Sequence, residues 1–169
     1  MARVADLMEA WARELGESES GCVRWRATAW LHDSLRDAPP SQLREWVGEP
    51  FRELPDAYLH GPAAAARLAA EGVNDRDLLE AITFHTLGAP GLARLGRALI
   101  VADFLEPGRT DRTEWRAALR ARMPAEFEAV LSEVVRAKLQ RDLEGGEPIR
   151  PELVALWNRL VSHGPERNA

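Results

Sequence analysis

Apolar residues return along this chain every three or four positions and almost never every two. Val4, Leu7, Met8, Trp11, Ala12 and Leu15 form the first such stripe, which predicts an amphipathic helix over about 3–15 closed by Gly16. A polar loop, Glu17 to Gly21, leads to a second helix over about 22–35, with Val23, Ala27, Trp30, Leu31 and Leu35 on its buried side. His32 and Asp33 fall near its C-terminal end, and Pro39-Pro40 stops any continuation. Ser41 is placed to cap a short helix over 41–47, and Pro50 and Pro55 break the chain beyond it. An alanine-rich helix runs from Leu59 to Glu71 and stops at Gly72. Asn74 or Asp75 caps the next, over 76–86, which ends on His85. A turn at Gly88, Pro90 and Gly91 opens a helix over 91–105 carrying Asp103 in its last turn, before Pro107-Gly108. Three more are expected: Thr113 to Arg122, Pro124 to about Leu143, and Pro151 to about Ser162, the tail from Gly164 being expected to fray. With no strand-like alternation and no repeat, the pattern reads as all-α.

Composition narrows the class. At 169 residues, 46% hydrophobic and 29% charged, the chain suits one soluble globular domain with a substantial core. A net charge of −5 gives no reason to expect nucleic-acid binding. Lys138 is the only lysine against many arginines, a bias that carries no functional conclusion by itself. Cys22 is the sole cysteine, so an internal disulfide is excluded and a reducing cytoplasm is the expected compartment. The start, Met1 to Asp6, lacks the apolar core of a signal peptide, and the longest apolar run, Ala98 to Ala102, is too short to cross a bilayer. No membrane partner is expected.

Candidate chemistry gathers where the predicted helices begin and end. His32-Asp33 is an adjacent pair of metal-ligand types; His60 starts a later helix, His85 ends another, and Asp103 lies in the last turn of a third. Ligands on the ends of several helices are what a metal site inside a helical bundle requires. Imidazoles with carboxylates suit iron, manganese or zinc better than calcium. Neighbours on a helix diverge, so His32 and Asp33 could only meet a metal pair lying along the helix side. Taken singly, each histidine reads as readily as a core or cap residue. The fourth, His163, fits no motif and reads as a surface residue. Of the six tryptophans, Trp11, Trp30, Trp46, Trp115 and Trp157 fall on helical stripes and read as core packing rather than base-stacking.

Taken together, four strings in order resemble a known family. Leu31-His32-Asp33 with Asp103 resembles the HD-domain metal-dependent phosphohydrolases. Tyr58-Leu59-His60-Gly61-Pro62, Ala81 to Gly88 (AITFHTLG) and Ala102 to Arg109 (ADFLEPGR) resemble the YqeK-type branch, the symmetrical diadenosine tetraphosphate hydrolases; Lys138-Leu139, Ile149-Arg150-Pro151 and Trp157-Asn158 fit its pattern too. The resemblance spans nearly the whole chain and implies a single HD-domain helical bundle, its metal-site core over about 1–110 and further helices over 111–163. It implies two divalent transition metal ions, iron first with manganese or zinc as alternatives: Asp33 bridging, His32 and Asp103 on one ion, His60 and His85 on the other. A metal-bound hydroxide would attack phosphorus and split Ap4A into two ADP. Asp33, Arg36 and Asp103 would then be catalytic. Arg36 stands where the family usually has lysine, and Arg109 resembles its phosphate-facing arginine. Thr86, Gly88 and Gly91 would shape the nucleotide pocket, unless the glycines are simply turn residues. Glu106 would support a ligand or cap the turn.

The pattern departs at one point. The family carries a further metal histidine in its first helix, four residues before the position of Val4, which falls before Met1. Either the natural start lies upstream or this chain lacks one ligand, water filling the gap beside His32, Asp33 and Asp103. Other readings stay open: an HD phosphohydrolase of different nucleotide specificity, or a degenerate HD domain that binds nucleotide or a partner without turnover. The oligomeric state, homodimer included, is left open.

Overall fold

The computed structural model describes residues 1–162, and its regular elements are helices: α1 (Ala2–Glu14), α2 (Glu19–Leu31), α3 (Pro40–Trp46), α4 (His60–Ala70), α5 (Arg76–Phe84), α6 (Arg94–Phe104), α7 (Thr113–Arg122), α8 (Phe127–Glu144) and α9 (Pro151–Ser162). Short 3-10 turns at Phe51–Glu53 and Asp56–Tyr58 join α3 to α4. The expectation for His163 lies outside the described residues.

The run Ala98 to Ala102 is the middle of the molecule. Each of its five side chains is at most 1% exposed, because α6 is enclosed by neighbours rather than lying on a surface. One apolar cluster gathers side chains from α1, α2, α4, α5 and α6 with Leu119 of α7, Val130, Leu131, Val134 and Val135 of α8, and Leu153 and Leu156 of α9. A smaller one, Leu43, Val47, Leu59 and Ala63, seats α3 over the start of α4. No described helix is long and apolar enough to cross a membrane.

Several boundaries move for local reasons. Helix α2 begins at Glu19, inside the expected loop, because the Ser18 hydroxyl accepts from the Gly21 N–H at 3.1 Å and caps it. Its inward face is Cys22, Trp25, Thr28 and Ala29, while Val23 (64%) and Trp30 (43%) are exposed. Both stripes are apolar at helical spacing, and packing on α1 selects the first. Trp46 is likewise exposed. Pro39 rather than Ser41 precedes α3, with Pro40 in its first turn. Helix α8 starts at Phe127, leaving Pro124 in the turn after α7. Asp75 caps α5 by accepting from Leu78 N–H at 3.1 Å, and Arg24 grips the same carboxylate twice at 2.5 Å, which ties α2 to α5. The C-terminal ends of α2, α5 and α6 and the start of α4 thus meet on one side of the molecule.

Candidate metal centre

At the end of α2 the hydrogen bonds shorten from i−4 (His32 to Thr28) to i−3 (Ser34 to Leu31, Arg36 to Asp33). His32 and Asp33 therefore sit at the exit of α2 rather than within it. His32 is 1% exposed, and its Nδ1 lies 2.7 Å from the Ala29 carbonyl oxygen. A carbonyl can only accept, so Nδ1 carries the proton and Nε2 presents its lone pair inward. His85, at the end of α5, repeats the device with the Ile82 carbonyl at 2.7 Å. Burial, then the nearby His85, pulls the His32 imidazole below its ordinary pKa and keeps it neutral, the form a metal takes.

Asp33 faces this set with both oxygens. Oδ1 lies 3.3 Å from His60 Nε2 and 3.7 Å from His85 Nε2; Oδ2 lies 3.5 Å from His32 Nε2 and accepts from Arg36 at 2.8 Å. His60 Nε2 and His85 Nε2 are 3.1 Å apart. Burial raises the Asp33 carboxyl, but the imidazoles of His60, His85 and His32 with Arg36 outweigh it and hold the group ionised, far below the usual carboxylate range.

The donor set fits a cation. Two ligand atoms each about 2.1 Å from one ion stand roughly 3.0–3.4 Å apart at octahedral to tetrahedral angles, close to the spacings found here. His32 Nε2 and Asp33 Oδ1 are buried without a hydrogen-bond partner, a cost that coordination would remove. Ligand atoms of His32, Asp33 and His85 all lie within 4.8 Å of one another, with His60 added through Asp33 and His85.

Above the cluster opens a cavity of about 470 Å³ lined by His60, His85, Thr86, Asp103, Arg36, Arg109, Lys138 and Arg141, with Asp56 and apolar residues completing the wall. A larger cavity, about 820 Å³, between α6, α8 and α9, contains neither histidine nor aspartate. Asp103 reaches the first cavity from the end of α6, but Arg109 holds its Oδ1 at 2.8 Å and its carbonyl at 2.9 Å, and no imidazole is within ion-pair distance of it among the described residues. Burial raises the Asp103 carboxyl and Arg109, His85 and His32 more than offset it.

No family model matches the chain. A symmetrical bis(5'-nucleosyl)-tetraphosphatase from Halalkalibacterium halodurans is 28% identical over 142 residues, covering 79% of this chain and 73% of the relative. One of the same name from Bacillus subtilis is 27% identical over 143 residues, covering 79% and 74%. A crystal structure described as a predicted HD superfamily hydrolase involved in NAD metabolism, from Clostridium acetobutylicum, superposes with a TM-score of 0.82 at 24% identity, over 96% of this chain and 87% of that one. The sequence is thus similar to symmetrical bis(5'-nucleosyl)-tetraphosphatases, and its all-helical fold is that of the Clostridium acetobutylicum structure.

Within this helical fold the doublet and both later histidines converge, while other expected residues divide. Arg36 and Arg109 line the cavity, and so does Thr86, whose hydroxyl lies 2.9 Å from His85 Nε2. Gly88 does not. It adopts φ +78°, and an added Cβ would press on Leu156 and Leu153 of α9, so close packing and a left-handed turn, not substrate, explain the glycine. Gly91 is an exposed turn residue. Glu106 turns to Arg3 and ties the start of α1 to the turn after α6. Two roles escape the sequence reading. Gly61 lets α4 touch α5: a Cβ there would stand 2.7 Å from the Ile82 carbonyl oxygen and 3.1 Å from His85. Lys138 is 6% exposed on the cavity wall. Its signals in the sequence are its place in a family string and its being the only lysine, and neither says that it faces the site.

Proposed function

We propose that this HD-domain protein is a metal-dependent phosphohydrolase acting on dinucleoside polyphosphates, Ap4A above all, and splitting it symmetrically into two ADP. The observation that carries this is the convergence of three Nε2 atoms on the two oxygens of Asp33, at the base of a cavity edged by four cations. The names of the sequence relatives support the substrate.

His60 and His85 stand on the Oδ1 side of Asp33 and His32 on the Oδ2 side, an arrangement suited to two ions with Asp33 between them. In this reading Asp103 joins His32, and iron is the first choice, with manganese or zinc as alternatives. Bound there, the metal supplies a lowered water pKa and positive charge beside the phosphoryl oxygens. The chain's own groups do the rest. The Ala29 and Ile82 carbonyls fix which imidazole nitrogen faces inward. Arg36 and Arg109 lie where phosphate oxygens must enter, and the guanidinium N–H groups that Asp33 and Asp103 do not hold are left to meet them. With the His85 Nε2 lone pair given to a metal, the Thr86 hydroxyl, 2.9 Å from that atom, is free to turn toward substrate.

The test is product analysis with metal-loaded protein and Ap4A. ADP as sole nucleotide product is expected, in the ratio of two per Ap4A consumed. ATP with AMP, or no turnover with iron, manganese and zinc each supplied, would refute the reading.

A further inference from the structure

Lys138 is placed on the wall of the metal-site cavity by α8, a helix that contributes none of the candidate ligands. Lys138 is 6% exposed, and among the described residues its ammonium has no hydrogen-bond or ion-pair partner. The two carboxylates whose charge it feels, Asp103 and Asp142, are already engaged: Arg109 holds Asp103 at 2.8 Å and Arg141 holds Asp142 at 2.9 Å. An unpaired ammonium on so enclosed a residue is costly, and natural proteins rarely keep one without a use. Three guanidinium groups, Arg36, Arg109 and Arg141, share that cavity in a chain whose net charge is −5. Each of those guanidinium groups stands beside a carboxylate, so the unmatched charge at the cavity is that of Lys138, and a wall rich in cations favours an anionic ligand.

We propose that Lys138, with Arg141 nearly one helical turn further along α8 at the rim, binds the phosphates of the substrate that do not react, and so sets a minimum phosphate-chain length. The inference rests on the cavity being the phosphohydrolase site proposed above. Arg36 contacts Asp33 and so stays with the reacting phosphate, whereas Lys138 approaches from α8. Its use is charge rather than proton donation: a terminal phosphate has its second pKa near ~6 and leaves as an anion without help.

The experiment measures equilibrium binding of inorganic tripolyphosphate and of orthophosphate by calorimetry, with manganese-loaded wild type, K138M and K138Q. Wild type is expected to bind tripolyphosphate at least about 10-fold more tightly than orthophosphate, and both variants to lose about 10- to 100-fold on tripolyphosphate, as loss of a charge-assisted contact implies. Orthophosphate binding should change less than about 3-fold by the same measure. Both variants should melt no lower than wild type, since an unpaired buried charge is removed. Unchanged tripolyphosphate affinity, equal losses on both anions, or a lowered melting temperature in both variants would each overturn the proposal. Lys138-dependent binding without Ap4A cleavage would leave this inference standing and defeat the proposed substrate; cleavage with Lys138-independent binding would do the reverse.

Discussion

At the scale of the residue, His85 carries the most connections. Its Nε2 faces Asp33, His60 and Thr86, and its ring meets His32 edge-on with centroids 4.9 Å apart. His85→Ala should lower metal content and cut phosphohydrolase activity by at least about 100-fold, because a group beyond the ligands can already cost 10- to 100-fold. Metal analysis beside activity on one preparation checks both; full activity with full metal would remove His85 from the site. The sequence made these donors visible because His and Asp are scarce, chemically distinct and set at predicted helix ends. It could not show that the carbonyls three residues earlier fix the inward nitrogen, or that Arg109 is spent on Asp103.

Single elements matter through their contacts, and the junction of α4 with α5 decides whether the site closes. Gly61 follows His60, and the missing Cβ admits the Ile82 carbonyl. Gly61→Ala must push the two helices apart, since the clashing atom is backbone and cannot rotate away. A loss of about 1–3 kcal/mol in denaturant unfolding is expected, the usual cost of overpacking, together with weakened metal binding as His60 withdraws from His85. Unchanged stability and metal affinity would show that the contact tolerates a methyl group. An alanine-rich helix announces itself in sequence, but which small residue marks its closest approach does not. The same limit explains α2, whose two apolar stripes are indistinguishable until α1 covers one and leaves Val23 and Trp30 outside.

For the whole molecule, burial of Lys138 links function to stability. Burial pulls its ammonium down to about 8, against the pull of Asp103, while the unfolded chain keeps an ordinary lysine. Between about pH 8 and 10.5 the unfolded state therefore binds more protons, and stability attributable to this residue rises with pH. Below that window the charged lysine costs about 3 kcal/mol, taking 1.36 kcal/mol for each tenfold change in proton affinity. K138M should thus be more stable than wild type at pH 7 with chelator present, and the difference should shrink as pH rises toward 10.5. Thermal unfolding of both proteins across that range checks it; a gap that ignores pH would show that the lysine is not held in a dry place.

Helical periodicity and breaker residues determined by themselves that this is an all-α chain, and the order of four motifs gave its resemblance to the HD-domain proteins and the donors that are candidates for a metal site. These properties are local, or depend only on residue type and order. Which face of α2 is buried, where Gly88 packs, how Gly61 seats His60 and why the lone lysine faces the cavity were decided by tertiary structure alone. Each depends on what lies across a contact, and the partner there comes from a distant part of the chain, about which nearby residues carry no information.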